Sequence, residues 1–232
     1  MRAVIFANGV MENPKEEAAR WVEPDGLVIA ADGGTHHALV AELTPDVVVG
    51  DQDSISSSLF RKLEQKGTVF QDYPSAKDET DLELALCWTV DQPEVDEVVV
   101  LGGLGGRPDQ TMANLLLLAM PALEGQDVFF VDNGWTIRLI RPDRALCLEG
   151  RSGDRLSLIP LGGAAEGVST TGLAYPLDDE TLYFGPARGV SNVFEASDVT
   201  ISLTRGLLWC FHESRSGGAG AAFPELEHPV GT

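Results

Sequence analysis

Five short, unbroken apolar runs, rich in β-branched residues, punctuate the first 140 positions, at 4–7, 27–31, 47–49, 98–101 and 128–131. A strand with one wet face alternates apolar and polar residues. An unbroken apolar strand must be covered on both sides, which is the condition of a strand inside a parallel sheet. Segments with helical periodicity separate the runs, near 14–21, 35–42, 56–66, 79–90 and 109–119. This alternation predicts an α/β unit with an open, mostly parallel sheet and helices on both faces. From about residue 143 the helical periods vanish. Short runs at 155–159, 181–184 and 199–203 are separated by Gly, Pro and Asn, the pattern of a small antiparallel β-sandwich or jelly roll. The expected division is an α/β domain over 1–140, a β domain over 141–213 with the boundary near 138–146, and a Gly- and Ala-rich disordered tail over 214–232.

The acids fall where those runs end. Asp32 follows the second in Ala30-Ala31-Asp32-Gly33-Gly34, and Asp51 and Asp53 follow the third in Gly50-Asp51-Gln52-Asp53-Ser54. The fourth ends in a glycine-rich loop, Gly102-Gly103-Leu104-Gly105-Gly106-Arg107-Pro108-Asp109. Ligands of open α/β sheets bind at the carboxyl ends of the strands. Clustered carboxylates repel one another unless a cation lies among them, and an all-oxygen donor set suits Mg²⁺. A glycine loop running into a helix suits phosphate held by backbone N–H groups, with Pro108 in the helix's first turn. Taken singly, each acid also reads as a turn residue or helix cap, and Ser54 as the cap of the next helix. The loop has neither the GxxxxGK[ST] nor the GxGxxG pattern. In Lys77-Asp78-Glu79-Thr80-Asp81, a helix opening rich in acids, spacing alone leaves open whether an acid joins the metal and whether Lys77 meets a phosphate. The adjacent His36 and His37, and His212 near the tail, read as surface or helix-start histidines.

The formal charge of −20 excludes a phosphate backbone as partner, so no nucleic acid is expected. Three scattered cysteines fit a reducing compartment, and cytoplasmic location is the expectation. The N-terminal apolar run is too short for a signal peptide, and no stretch is long enough for a membrane.

Taken in order, Ala31-Asp32-Gly33-Gly34, Gly50-Asp51-Gln52-Asp53-Ser54, Lys77-Asp78-Glu79-Thr80-Asp81 and Gly105-Gly106-Arg107-Pro108-Asp109-Gln110 with Asn114 resemble the motif series of the thiamine pyrophosphokinases. So do Gly172-Leu173-x-Tyr175-x-Leu177, Gly189-Val190-Ser191-Asn192 and Gly206-Leu207-Leu208-Trp209 in the β region. The resemblance spans roughly residues 3–211 and implies transfer of a pyrophosphoryl group from ATP to thiamine, giving thiamine diphosphate and AMP. It implies that Asp51, Asp53 and Asp81 surround magnesium, with Asp32 close by. Gly33, Lys77, Gly105, Gly106, Arg107 and Asn114 would lie on the nucleotide side, and Asp81 or Asp109 would stand as candidate proton acceptors. Gln110, Ser191, Asn192 and Trp209 would serve the substrate, with Trp209 stacking on thiamine or belonging to the core. It further implies a homodimer with thiamine held between one subunit's α/β domain and its partner's β domain. Three positions depart from the common pattern: Gln52 between the paired acids, Gln110 where His is frequent, and Trp209 where an aliphatic residue is frequent. The rival readings are a pyrophosphokinase acting on a pterin alcohol and a non-catalytic nucleotide-binding module.

Overall fold

The structure is a computed structural model that describes residues 1–142, 144–214 and the backbone of 221–222. The chain divides after Asn133 into two compact units.

The first unit alternates strand and helix: β1 (Arg2–Phe6), α1 (Pro14–Trp21), β2 (Leu27–Ala31), α2 (Gly34–Val40), β3 (Val47–Gly50), α3 (Ser57–Gln65), β4 (Val69–Asp72), α4 (Asp81–Val90), β5 (Glu97–Leu101), α5 (Pro108–Leu117) and β6 (Asp127–Asp132). Every pairing in it is parallel, in the order β6-β5-β1-β2-β3-β4. Side chains alternate across the sheet, and both faces are apolar. Val4, Phe6, Val28, Val99 and Phe129 pack on Ala18 and Trp21 of α1 and Ala38 of α2. Farther along the same face, Ala30, Val48 and Phe70 meet Ile55, Leu59 and Phe60 at α3. The intervening residues Ile5, Ile29, Val49, Val100 and Phe130 are buried on the other face, where α4 lies against β1, β2 and β3 and packs on α5. The N-cap of α3 is Ser56, whose hydroxyl accepts the Leu59 N–H at 3.3 Å; Ser54 does not fill that place. β4 lacks an apolar run because it is an edge strand, half in solvent, with Phe70 stacked on Phe60 at 4.2 Å.

The second unit is antiparallel: β7 (Trp135–Ile140), β8 (Leu146–Glu149), β9 (Arg155–Thr171), β10 (Glu180–Leu182), β11 (Asn192–Val193), β12 (Asp198–Ser202), β13 (Arg205–Glu213) and β14 (Ala221–Ala222). β9 pairs with β13 along its first part and with β12 at its end, and β10 and β11 also pair with it, so one long strand organises a core that includes Leu156, Leu158, Val168, Phe194, Ile201 and Leu208. The division falls at 133/134 rather than 138–146, because residues 135–140 pair with 208–213 of this unit. Of the tail read as disordered from 214, Ser214 is buried and donates its N–H to Gly134 O at 3.1 Å, and Ala221–Ala222 pairs with β8. The rest of that segment lies outside the described residues. His212 is no surface histidine: it is 1% exposed on β13, stacked on Phe194 at 4.7 Å, with Nε2 3.6 Å from the buried Asp154 carboxylate.

Candidate functional site

β1 is flanked by β2 on one side and β5 on the other, so the chain leaves it in opposite directions and a crevice opens at the strands' carboxyl ends. A cleft there is lined by Asn8 and Gly9 after β1, Asp32 after β2, Gly102, Gly103 and Gly105 after β5, Thr80 and Asp81 at the start of α4, and Gln110, Ala113 and Asn114. The last three recur at i, i+3 and i+4, which puts them on one face of α5. Asn8-Gly9, which the resemblance to the family matches to its first strand end, follows β1 as Asp32 follows β2.

Carboxylate oxygens of Asp32, Asp51 and Asp53 all lie within 4.8 Å of one another. Asp32 is 7% exposed, with φ +40°, and its Oδ1 is buried without a hydrogen-bond partner among the described residues. An isolated buried carboxylate oxygen is costly, and a bound cation removes that cost. Three hard oxygen donors with one orphaned oxygen therefore fit magnesium. Asp51 is held below the usual carboxylate range by the Ser75 hydroxyl, then by the Asp53 N–H at 3.3 Å, with Lys77 adding attraction, so it is a ready anion. Gln52, at φ +61°, donates to Asp72, so the departure between the paired acids ties their loop to the edge strand.

The acids that the resemblance places around magnesium do not all lie in one cluster. Asp32 joins Asp51 and Asp53, while Asp81 forms an ion pair with Lys77, Nζ to Oδ1 2.8 Å. Gly50 explains how the acids come so close. Its φ is +145°, and a Cβ there would lie 2.9 Å from Asp81 Oδ1 and 3.0 Å from Asp32 Cβ. Gly33 serves packing: a Cβ would come 2.4 Å from Asn8 Nδ2.

In the glycine loop, Gly105 and Gly106 take φ +80° and +74°. The Gly103 carbonyl accepts from Asn114 Nδ2 at 2.6 Å, and the Thr111 hydroxyl accepts the Gly105 N–H at 3.1 Å. These contacts hold the loop's backbone over the start of α5, and Asn114 works as a brace as well as a lining residue. Gly106, Arg107 and Asp109 do not line the cleft. Arg107 and Asp109 form an exposed two-bond pair, 3.1 and 2.5 Å, which holds the Asp109 carboxyl below its ordinary range and makes it a poor proton acceptor. His36 and His37 bind backbone, with Nε2 at 3.2 Å from Ser54 O and 2.8 Å from Gly9 O, so they brace two of the loops.

In the second unit a recess is lined by Leu158, Tyr175, Leu177, Arg188, Gly189, Val190, Ser191 and Asn192. Ser191 is exposed at φ +65°. Asn192 is 8% exposed, and both ends of its amide are occupied. Oδ1 accepts the N–H of Tyr175 at 3.1 Å and of Val193 at 2.9 Å, and Nδ2 donates to Tyr175 O at 2.7 Å. The amide therefore clamps the Tyr175 backbone, while Asn192 also lines the recess where the resemblance implies substrate contact. Trp209 is 7% exposed and lines neither this recess nor the first unit's cleft. It points away from the core side of β13 that carries Leu208 and Cys210, and Nε1 has no hydrogen-bond partner among the described residues.

The chain is similar to known proteins across both units. Residues 19–130 match the family described as "Thiamin pyrophosphokinase, catalytic domain", and residues 144–208 match "Thiamin pyrophosphokinase, vitamin B1 binding domain". The chain is 27% identical over 209 residues to the thiamine pyrophosphokinase of Bacillus subtilis, covering 90% of this chain and 97% of that one. The crystal structure of thiamine pyrophosphokinase from Bacillus subtilis superposes with a TM-score of 0.79 at 27% identity over 92% of this chain and 99% of that one. The thiamin pyrophosphokinase of Geobacillus thermodenitrificans gives 0.78 at 26% identity over 93% and 99%.

Proposed function

As a member of the thiamin pyrophosphokinase family, this chain transfers the pyrophosphoryl group of ATP to the hydroxyl of thiamine, and we propose that the acid-lined cleft of its first unit is where the nucleotide reacts. The observation that carries this assignment is the convergence of Asp32, Asp51 and Asp53 on one volume at the ends of β2 and β3, beside the glycine loop.

In this reading Asp51 and Asp53 would hold magnesium, with Asp32 as third donor and Asp81 adjacent. When bound, the metal neutralises charge on the phosphate oxygens. A Cβ at Gly102 would meet Ala7 O at 2.7 Å and one at Gly103 the Phe130 ring at 2.5 Å, so these glycines let the loop pack close while its backbone, with Gln110 and Asn114, lines the cleft that would take the phosphate chain. The thiamine hydroxyl oxygen gives up its proton to a cleft carboxylate or to solvent and bonds to the β-phosphorus, as the bond from that phosphorus to the α,β-bridging oxygen breaks and AMP leaves with that oxygen. The carboxylates and the start of α5 are positioned before the reaction, and such preorganisation is the main contribution a protein makes to this class of transfer.

We assign thiamine to the second unit's recess, supported by Ser191 and the exposed Tyr175 ring beside it. Confinement of the acids to one unit and of the recess to the other is the support for a homodimer whose active site draws on both protomers. The three free cysteines support a cytoplasmic enzyme, and no helix among the described residues is long and apolar enough to cross a membrane.

The deciding experiment measures AMP release from ATP by the purified protein with thiamine, with a pterin alcohol and with no acceptor. AMP released only with thiamine, in equal amount with thiamine diphosphate, is the expected result. Release with the pterin alcohol alone moves the activity to that acceptor, and nucleotide binding without release reduces the chain to a nucleotide-binding module.

A further inference from the structure

Lys77 lies at the edge of the acid cleft in an unusual setting for a lysine. Its side chain is only 12% exposed, where most lysines are solvated, and Nζ is 2.8 Å from Asp81 Oδ1. The hydrogen bond to Asp81 raises its pKa, and the charges of Asp81, Asp51 and Asp32 act in the same direction against the effect of burial. Asp81 in turn is seated on Gly50, next to Asp32. Three carboxylates, Asp81 in contact and Asp51 and Asp32 beyond it, thus act on one ammonium group carried by the chain itself.

We propose that Lys77 is a tethered counter-cation of the cleft, pairing with Asp81 while no metal is bound and releasing it when the magnesium nucleotide enters. The proposal rests on the reading of the cleft as a magnesium–nucleotide site. Its physical basis is competition. A positive side chain beside the acids opposes a bare divalent cation, so free magnesium binds weakly. A nucleotide arriving with its metal brings phosphate anions, which offer the ammonium a replacement for the carboxylate it gives up. The cleft therefore selects metal and nucleotide together over metal alone.

The test titrates Mg²⁺ by calorimetry into the full-length protein without nucleotide, as wild type and as Lys77→Met. A single positive charge about 6 Å from a divalent ion in a water-like medium lowers affinity about tenfold, so Lys77→Met is expected to bind Mg²⁺ about tenfold more tightly. In EDTA at low salt the variant melts below the wild type and recovers on adding Mg²⁺, and the gap narrows at high salt. Equal or weaker Mg²⁺ affinity in Lys77→Met overturns the proposal. Asp53→Asn, made in both backgrounds, tests the underlying reading separately: unchanged Mg²⁺ affinity there removes the metal site whatever Lys77 does. If Lys77→Met fails to fold, wild-type protein carrying ¹³Cε-lysine is used, with the Lys77 resonance assigned through Lys77→Arg. That resonance is expected to move when magnesium and a non-hydrolysable ATP analogue are added, and a stationary resonance overturns the proposal.

Discussion

Replacing Asn192 with alanine separates a clamp from a substrate contact. The amide serves three backbone groups, the N–H and C=O of Tyr175 and the N–H of Val193, at 3.1, 2.7 and 2.9 Å. A net protein hydrogen bond is worth about 0.5–1.5 kcal/mol, and a buried group left without a partner costs about 1–3 kcal/mol. Tyr175 is exposed, so water recovers part of what its backbone loses, while Val193 is half-buried and recovers less. The expected destabilisation is about 2–4 kcal/mol, measured as a fall of roughly 1 M or more in the urea midpoint at an ordinary slope. Thiamine kinetics on the folded variant should show a raised KM, because the Tyr175 backbone is no longer fixed beside Ser191, and KM for ATP should not change. Ser191→Ala is the control: its exposed hydroxyl makes stability change by less than about 0.5 kcal/mol, while KM for thiamine rises. If Asn192→Ala melts with the wild type and only KM for thiamine rises, the clamp is wrong and Asn192 contacts substrate.

Asp53→Asn is expected to lower kcat by about 10²–10³ without altering the circular dichroism spectrum, as for loss of a group that stabilises developing charge, and near-normal turnover at saturating Mg²⁺ contradicts the metal assignment. Gly50→Ala should cost about 1–3 kcal/mol for its positive φ and depress turnover by separating Asp81 from Asp32; a fully active, equally stable variant excludes that close approach. Burial lowers the pKa of His212 from 6.5, with Asp154 opposing the shift and Arg138 adding to it, so the folded chain binds this proton less readily than the unfolded one. The stability from a neutral His212 is therefore complete above pH 6.5 and declines as pH falls toward the folded pKa. Urea melts of wild type and His212→Gln between pH 7.5 and 5 should show a shallower decline in the variant, and identical slopes refute the linkage.

The first unit was legible because its pattern is physical. A strand covered on both faces must be apolar throughout, and β2, β3, β5 and β6 contain the runs read from the sequence, as β1 does for all of its run but Ala7. β4 escaped because an edge strand needs no such run. In the second unit β7 escaped because Arg138, 2% exposed, interrupts Trp135–Ile140 with a charge that sequence patterning assigns to solvent. Strand ends located the acids, since that depends only on where runs stop. Partner choice was not legible. Lys77 and Asp81 are spaced to pair on a helix, yet Lys77 precedes α4 and reaches Asp81 from the loop. Nor could spacing show that the Asn192 amide is taken up by Tyr175, a residue 17 positions earlier.

The position of β1 between β2 and β5 bears on how the molecule is made. β1, the earliest strand of this unit in chain order, occupies the middle of the sheet, and its second neighbour ends at Leu101. A nascent chain halted short of that point has one edge of β1 unpaired and lacks the loop after β5. Nucleotide therefore has no complete cradle on the growing chain and cannot guide its early collapse. Closure waits for a contact spanning most of the unit, the kind of distant pairing that slows folding and prolongs exposure of a sticky strand edge.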